Sequence, residues 1–159
     1  MKITIICVGK IKEKFFTMAI DEYAKRLSRY CRLEILELAD EKTPNGCSQG
    51  EENVIKSKEG DRILASIKDE MYVINLAING AKFDSVGFSE KLEKLGVEGN
   101  SHIAFVIGGS LGLDERVIRR GDLSVSFSDM TFPHQLMRVI LLEQIYRAYR
   151  IMNNEPYHK

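Results

Sequence analysis

The chain has no net charge, because 23 Lys/Arg balance 23 Asp/Glu. That balance excludes a protein whose overall field alone selects its partner. Cysteine is scarce. Cys7, Cys31 and Cys47 are odd in number and widely spaced, with no CxxC and no Cys/His ligand pattern. A disulfide scaffold and a zinc module are thereby disfavoured, and no bound metal is expected. Unpaired, scattered thiols fit a reducing compartment, and Cys7, inside an apolar run, reads as a small core residue. No apolar stretch approaches the ~18 residues of a membrane span. The opening Met1-Lys2-Ile3-Thr4-Ile5 lacks the apolar core of a secretory leader. A soluble, cytoplasmic protein without a membrane partner is expected. Repeats and low-complexity segments are also missing, and 159 residues at 44% hydrophobic content predict a single domain over 1–159.

Charge is unevenly placed. Residues 1–32 hold eight Lys/Arg (Lys2, Lys10, Lys12, Lys14, Lys25, Arg26, Arg29, Arg32) against three acids, a net of +5. Residues 33–70 reverse this to −5. A basic N-terminal lobe is either a surface for a polyanion or a solvated helix face.

Strands and helices alternate from end to end. Ile3 to Val8 reads as a buried strand stopped by Gly9. Phe16, Ile20, Tyr23, Leu27 and Tyr30 recur at helical spacing, predicting a helix over about 14–30. Leu33 to Leu38 alternates as a half-exposed strand, and a loop follows over 40–46. A helix over about 49–67 carries Gly60, which weakens it by about 1 kcal/mol relative to Ala. Met71 to Ile78 is a strand with a turn signal at Asn79-Gly80. Ser85 to Leu95 is a helix closed by Gly96. Strand 102–107 follows, then an N-cap at Asp114 and a short strand over 123–127. Pro133 suits the first turn of a last helix over about 133–152. This alternation predicts an α/β fold with a largely parallel sheet.

The last helix is apolar around two faces, from Leu136 and Met137 to Ile151 and Met152. One face is needed against the sheet. The other predicts a subunit interface centred on 136–152.

Two adjacent segments point to a site. Strand 103–107 runs into Gly108-Gly109-Ser110-Leu111-Gly112-Leu113, and 125–139 follows as Val-Ser-Phe-Ser-Asp-Met-Thr-Phe-Pro-His-Gln-Leu-Met-Arg-Val. Glycines at a strand end bring bare backbone to a ligand or simply make a tight turn. The spacing is not a dinucleotide fingerprint, nor is it a phosphate-binding P-loop. Ser128 lacks a Gly-x-Ser-x-Gly setting. His134, taken alone, is a helix-start histidine or a catalytic one. A bound anion at that helix start remains open on physical grounds.

The Ile107-Gly108-Gly109 strand end, Ser126 to Thr131, Pro133-His134, the Arg138-Val139 helix and Pro156-Tyr157-His158-Lys159 together resemble the RlmH family. These are SPOUT-class methyltransferases acting on a pseudouridine of large-subunit ribosomal RNA. The resemblance runs from Met1 to Lys159, including Val8-Gly9-Lys10, Glu22-Tyr23 and Lys58-Glu59-Gly60. It implies a SPOUT-type α/β fold with a C-terminal trefoil knot and a homodimer built around it. It also implies S-adenosylmethionine as cofactor, held by Leu76, Gly108, Phe127, Ser128, Asp129, Met130, Thr131 and Phe132. For Asp129, whether the acid helps hold the cofactor or faces water stays open. The implied reaction is methyl transfer to ring nitrogen N3 of the base, with ribosomal RNA in the assembled ribosome as partner.

The N3–H proton must leave, and His134 and His158 are the groups that titrate near neutrality. Tyr157 and His158 end the chain, where a polar tail normally frays. Packing over an active site, its own or a neighbour's, would give them a purpose, with Tyr157 stacking on the base. Arg138, Arg147 and Arg150 are candidates for phosphate or the uracil oxygens. The basic lobe of 1–32 is the candidate RNA surface. Two rivals remain: a tRNA methyltransferase of the same fold, and a ribosome-associated dimer without turnover.

Overall fold

A computed structural model describes residues 1–159. Ten elements follow in strict alternation until the end: β1 (Lys2–Val8), α1 (Lys14–Leu27), β2 (Arg32–Leu38), α2 (Gln49–Ser66), β3 (Tyr72–Lys82), α3 (Ser85–Val97), β4 (His102–Ile107), α4 (Glu115–Arg120), β5 (Leu123–Ser126) and α5 (His134–Met152). The five strands form one sheet in the order β2-β1-β4-β3-β5, and every pairing is parallel. The expected α/β class with a largely parallel sheet is the observed one. The central strands β1 and β4 are covered on both faces, which is why Ile3–Val8 and His102–Ile107 read as unbroken buried runs. The edge strand β2 alternates because one of its faces meets water.

Helices α1, α3 and α5 cover one face, with Ile20, Leu27, Phe88, Leu92, Leu95, Leu141, Leu142 and Ile145 in the main core. Helices α2 and α4 cover the other through Ile63 and Val117. Gly60 has a structural reason. A Cβ there would lie 2.8 Å from Asp114 Cβ, so the glycine lets α2 approach the capped start of α4. Asp114 accepts from the Arg116 backbone at 2.7 Å, and Arg116 reaches Asp61 and Ser57 on α2.

Two local expectations are corrected. Asn79-Gly80 is not a turn, since β3 continues to Lys82. Leu76 and Ala81 both pair with Val125, so the residues between them bulge out of register. A Cβ on Gly80 would fall 2.5 Å from the Val125 carbonyl carbon, and this close approach is what the glycine serves. Helix α3 runs through Gly96 and closes at Gly99, whose φ of +93° favours glycine.

The apolar surface of α5 is more consumed within the protomer than its sequence implied. Leu141, Leu142, Ile145, Ala148 and Tyr149 are buried in the chain's own core, and Val139, Tyr146 and Met152 pack against it. Leu136, Ile140 and Ile151 remain half-buried on the outer side. Beside them, α1 exposes Phe15 and Met18.

Candidate active site

A cleft of about 510 Å³ opens at the carboxyl ends of β3, β4 and β5. Ligands of open α/β sheets bind outside these ends. Leu76, Gly108, Phe127, Ser128, Met130, Thr131, Phe132 and His134 all line it. Residues from three strand ends and two loops are thus brought together.

The loop after β4 is tightly folded. A Cβ on Gly108 would meet Leu113 Cδ2 at 2.9 Å and the Gly112 carbonyl at 3.0 Å. Gly112 donates its N–H to Gly109 at 3.1 Å and takes a φ of +84°. The glycines make a tight turn, and that turn lines the cleft. Beneath it sits Glu59, 4% exposed, with Oε1 only 2.9 Å from where a Gly109 Cβ would stand. Burial pushes the Glu59 carboxyl up from its usual range, although it accepts the Glu41 N–H at 3.1 Å.

The loop after β5 is held by its serines. Ser126 Oγ donates to the Ser128 carbonyl at 3.1 Å, and Met130 N–H donates to Ser128 Oγ at 2.9 Å. Phe127 packs edge-on to Phe88. Asp129 points away from the cleft. Its side chain is 80% exposed and pairs with Lys82 at 2.6 Å, so of the two alternatives the water-facing one describes this structure.

His134 starts α5 at the cleft wall, beside Gly9. Its Nδ1 is buried without a hydrogen-bond partner. Burial, and then the nearby Arg138 cation, push its pKa below the ordinary imidazole value, so the ring is neutral at pH 7 with an unused polar atom. Arg138 departs from the expectation that it meets phosphate or uracil. Its side chain is 1% exposed and pairs with Glu37 at 2.8 Å. It also donates to the Val8 and Gly9 carbonyls at 3.1 and 2.6 Å. A guanidinium so enclosed braces the end of β1 against α5 and does not face the cleft.

The tail is docked rather than frayed. The Tyr157 hydroxyl donates to Glu143 Oε1 at 3.1 Å. Arg147 lies 4.6 Å above the Tyr157 ring and pairs with Glu143 at 2.6 Å. Tyr146 meets the same ring edge-on at 5.0 Å. Burial and the Glu143 hydrogen bond raise the Tyr157 pKa to about 12, so its hydroxyl keeps its proton. His158 Nδ1 lies 3.3 Å from Arg147. Glu143 was not anticipated. Its signal was its isolation, as the only acid in the 134–152 run.

This cluster is not at the cleft. At 1.5 Å per residue, Glu143 and Arg147 stand about 14 and 20 Å along α5 from His134. The basic lobe is likewise divided. Lys12 and Lys14 lie at the cleft end of α1, where the Lys12 N–H reaches Gln135. Arg26 and Arg29 lie at the far end, over the rings of Tyr23, Tyr146 and Tyr30. A wider, more open depression of about 850 Å³, lined by Met1, Arg29, Arg32 and Leu33, lies at that end too and includes none of the expected cofactor residues. No helix is long and apolar enough to cross a membrane.

The sequence that builds this cleft at the strand ends matches a described family. The model of the predicted SPOUT methyltransferase family covers residues 1–158. The chain belongs to the SPOUT methyltransferase family. The ribosomal RNA large subunit methyltransferase H 1 of Clostridium perfringens (strain SM101 / Type A) is 62% identical over 159 residues, all of both chains. The corresponding methyltransferase H proteins of Clostridium novyi and Clostridium tetani are 62% and 60% identical over the same full length. Among solved structures, a probable methylase family protein from Haemophilus influenzae Rd KW20 aligns over 99% of this chain and 70% of that one. Its TM-score is 0.53 at 13% identity, which speaks for the SPOUT fold alone.

Proposed function

We propose that this chain is an S-adenosylmethionine-dependent methyltransferase that methylates N3 of a pseudouridine in large-subunit (23S) ribosomal RNA, acting on the assembled ribosome in the cytoplasm as a single SPOUT domain. Full-length identity of 62% to a ribosomal RNA large subunit methyltransferase H carries this reading. The cleft supports the cofactor. Its volume of about 510 Å³ falls within the range for small-molecule sites, roughly 300–1,000 Å³. Leu76, Met130 and Phe132 offer an apolar slot for an adenine ring, and the Gly108 turn offers bare backbone to its polar edge. Phe127, Ser128 and Thr131 complete the wall, while Asp129 faces water and takes no part in it. When bound, S-adenosylmethionine supplies an already activated methyl group. The chain's own contribution is then alignment and proton handling.

Two places serve the substrate. Neutral His134 at the cleft wall can accept a proton or hold a water that does. The tail presents Tyr157 to stack on the base and His158 to meet its polar edge or take the N3 proton, with Arg147 beside it as a cation for the oxyanion that forms. Arg138 acts through position, by fixing the end of β1. Because the tail stands along α5 from its own cleft, we assign it to the cleft of a second subunit in a homodimer packed on α5 and α1. The trefoil knot belongs to the same reading. Labelled methyl transfer from S-adenosylmethionine tests the function. Label in large-subunit RNA of ribosomes from cells lacking the gene is expected, whereas label in naked tRNA only would favour the rival tRNA enzyme.

The dimer reading has its own test. Ile140→Asp should place an unpaired carboxylate in the interface and cost several kcal/mol of association. Ile145 is unsuitable because it lies in the protomer's core. Light scattering should show dimer for the parent and monomer for the variant, and a monomeric parent at micromolar concentration would overturn the assignment.

The basic lobe is assigned to RNA. Neutralising Lys12, Lys14, Arg26 and Arg29 together should weaken ribosome binding and flatten its salt dependence, by about 0.7–0.9 of slope per lost phosphate contact. Calorimetric affinity for S-adenosylmethionine should not move. An unaltered salt slope would make the lobe a solvated face.

A further inference from the structure

The tail is held from a second side by Tyr30 and Glu155, which the sequence did not single out, and by Arg150, which the structure pairs within the chain instead of leaving free for phosphate or the uracil oxygens. Tyr30, just past α1, donates its hydroxyl to Glu155 Oε2 at 2.6 Å. Arg150 of α5 pairs with the same carboxylate, donates to the Tyr30 hydroxyl at 3.2 Å and to the Pro156 carbonyl at 3.1 Å. The Tyr30 ring stacks on Tyr149 with centroids 5.5 Å apart and planes 15° apart, so its hydroxyl has little freedom. Between α5 and this anchor the chain reverses through Asn154, in the left-handed region at φ +53°. Asparagine tolerates that conformation better than most residues. The Tyr30 and Arg150 contacts hold the Glu155 carboxyl below its usual range, so it stays an anion and acceptor at neutral pH. Rotation of the tail is thereby blocked at residues 155 and 156, directly before Tyr157 and His158.

We propose that Tyr30, Arg150 and Glu155 form a positioning clamp that sets the direction in which the catalytic tail leaves α5. The inference rests on the reading of Tyr157 and His158 as catalytic. None of the three touches substrate. The clamp fixes the backbone at Pro156, while Glu143 and Arg147 fix the side chain of Tyr157. An exposed tail otherwise spreads over many conformations, and each loss of order lowers the fraction of dimers with a competent site.

Tyr30→Phe and Glu155→Gln are the test, each alone and each in a chain lacking residues 156–159. Tyr30→Phe keeps the stacking ring and removes only the hydroxyl. In the full chain, each substitution is expected to lower kcat on ribosomes about tenfold with unchanged KM for S-adenosylmethionine, unchanged dimer and only a small fall in thermal midpoint. In the truncated chain the same substitution should change nothing further, because there is no tail left to aim. Equal loss with and without the tail would mean a general structural role and overturn the clamp. So would an unchanged kcat in both full-length variants. If truncation itself leaves kcat intact, the catalytic tail fails first, and that outcome is distinct from failure of the clamp alone.

Discussion

Removing Pro156 to Lys159 is expected to cut methyl transfer at least a hundredfold, about 2.7 kcal/mol in the barrier. The strand-end cleft, some 14–20 Å back along α5, is expected to bind S-adenosylmethionine as before. The tail's docking adds a second expectation. Truncation strips the Tyr146 edge contact and the Arg147 cation from Tyr157, so stability should fall by about 1–2 kcal/mol without loss of the fold. His158→Ala should reproduce part of the kinetic loss and none of the stability loss, since its one contact is an exposed one to Arg147. The arms are steady-state transfer to ribosomes, calorimetry with the cofactor and thermal melting. Full activity of the truncated chain would move attention to His134.

The second large effect is expected at Gly108. A valine there must displace Leu113 and the Gly112 carbonyl, which stand 2.9 and 3.0 Å from the new Cβ. The Leu113 methyl can turn aside, but the Gly112 carbonyl is backbone and yields only with the glycine turn that walls the cleft. Affinity for S-adenosylmethionine should fall tenfold or more, about 1.4 kcal/mol, while the dimer persists. The same variant in a mixed dimer with the truncated chain should regain transfer at one site, because one subunit then supplies the tail and the other the cleft. No recovery in mixed dimers would mean that each tail serves its own cleft. Unchanged affinity in calorimetry would mean that the turn can be remodelled at no cost to the ligand.

Much of this arrangement was legible in order along the chain. β1 and β4 announced themselves because burial on both faces leaves no polar alternation. The site loops were legible because glycines at a strand end and a proline at a helix start have few other uses. What stayed hidden were pairings across long sequence separations. Asn79-Gly80 has the composition of a turn, yet the glycine is set by the Val125 backbone that crosses it. Arg138 looks like a surface cation on an apolar helix until Val8, Gly9 and Glu37 close around it. The tail looked free because its partners, Tyr30 and Glu143, lie on other turns and other helices. Its resemblance to a family flagged Tyr157 and His158, but only the fold brought Glu143, Arg147 and the clamp to them.

On this reading the chain writes one methyl group onto one base of large-subunit RNA. Mass spectrometry of nucleosides tests it most directly. Ribosomes from cells lacking the gene are incubated with the purified protein and S-adenosylmethionine, and the large-subunit RNA is digested. The expected product is a single pseudouridine carrying a methyl at N3, formed by the parent protein and reduced at least a hundredfold with the chain that ends after Glu155. No methylated pseudouridine, or a methyl found on another nucleoside, would contradict the account.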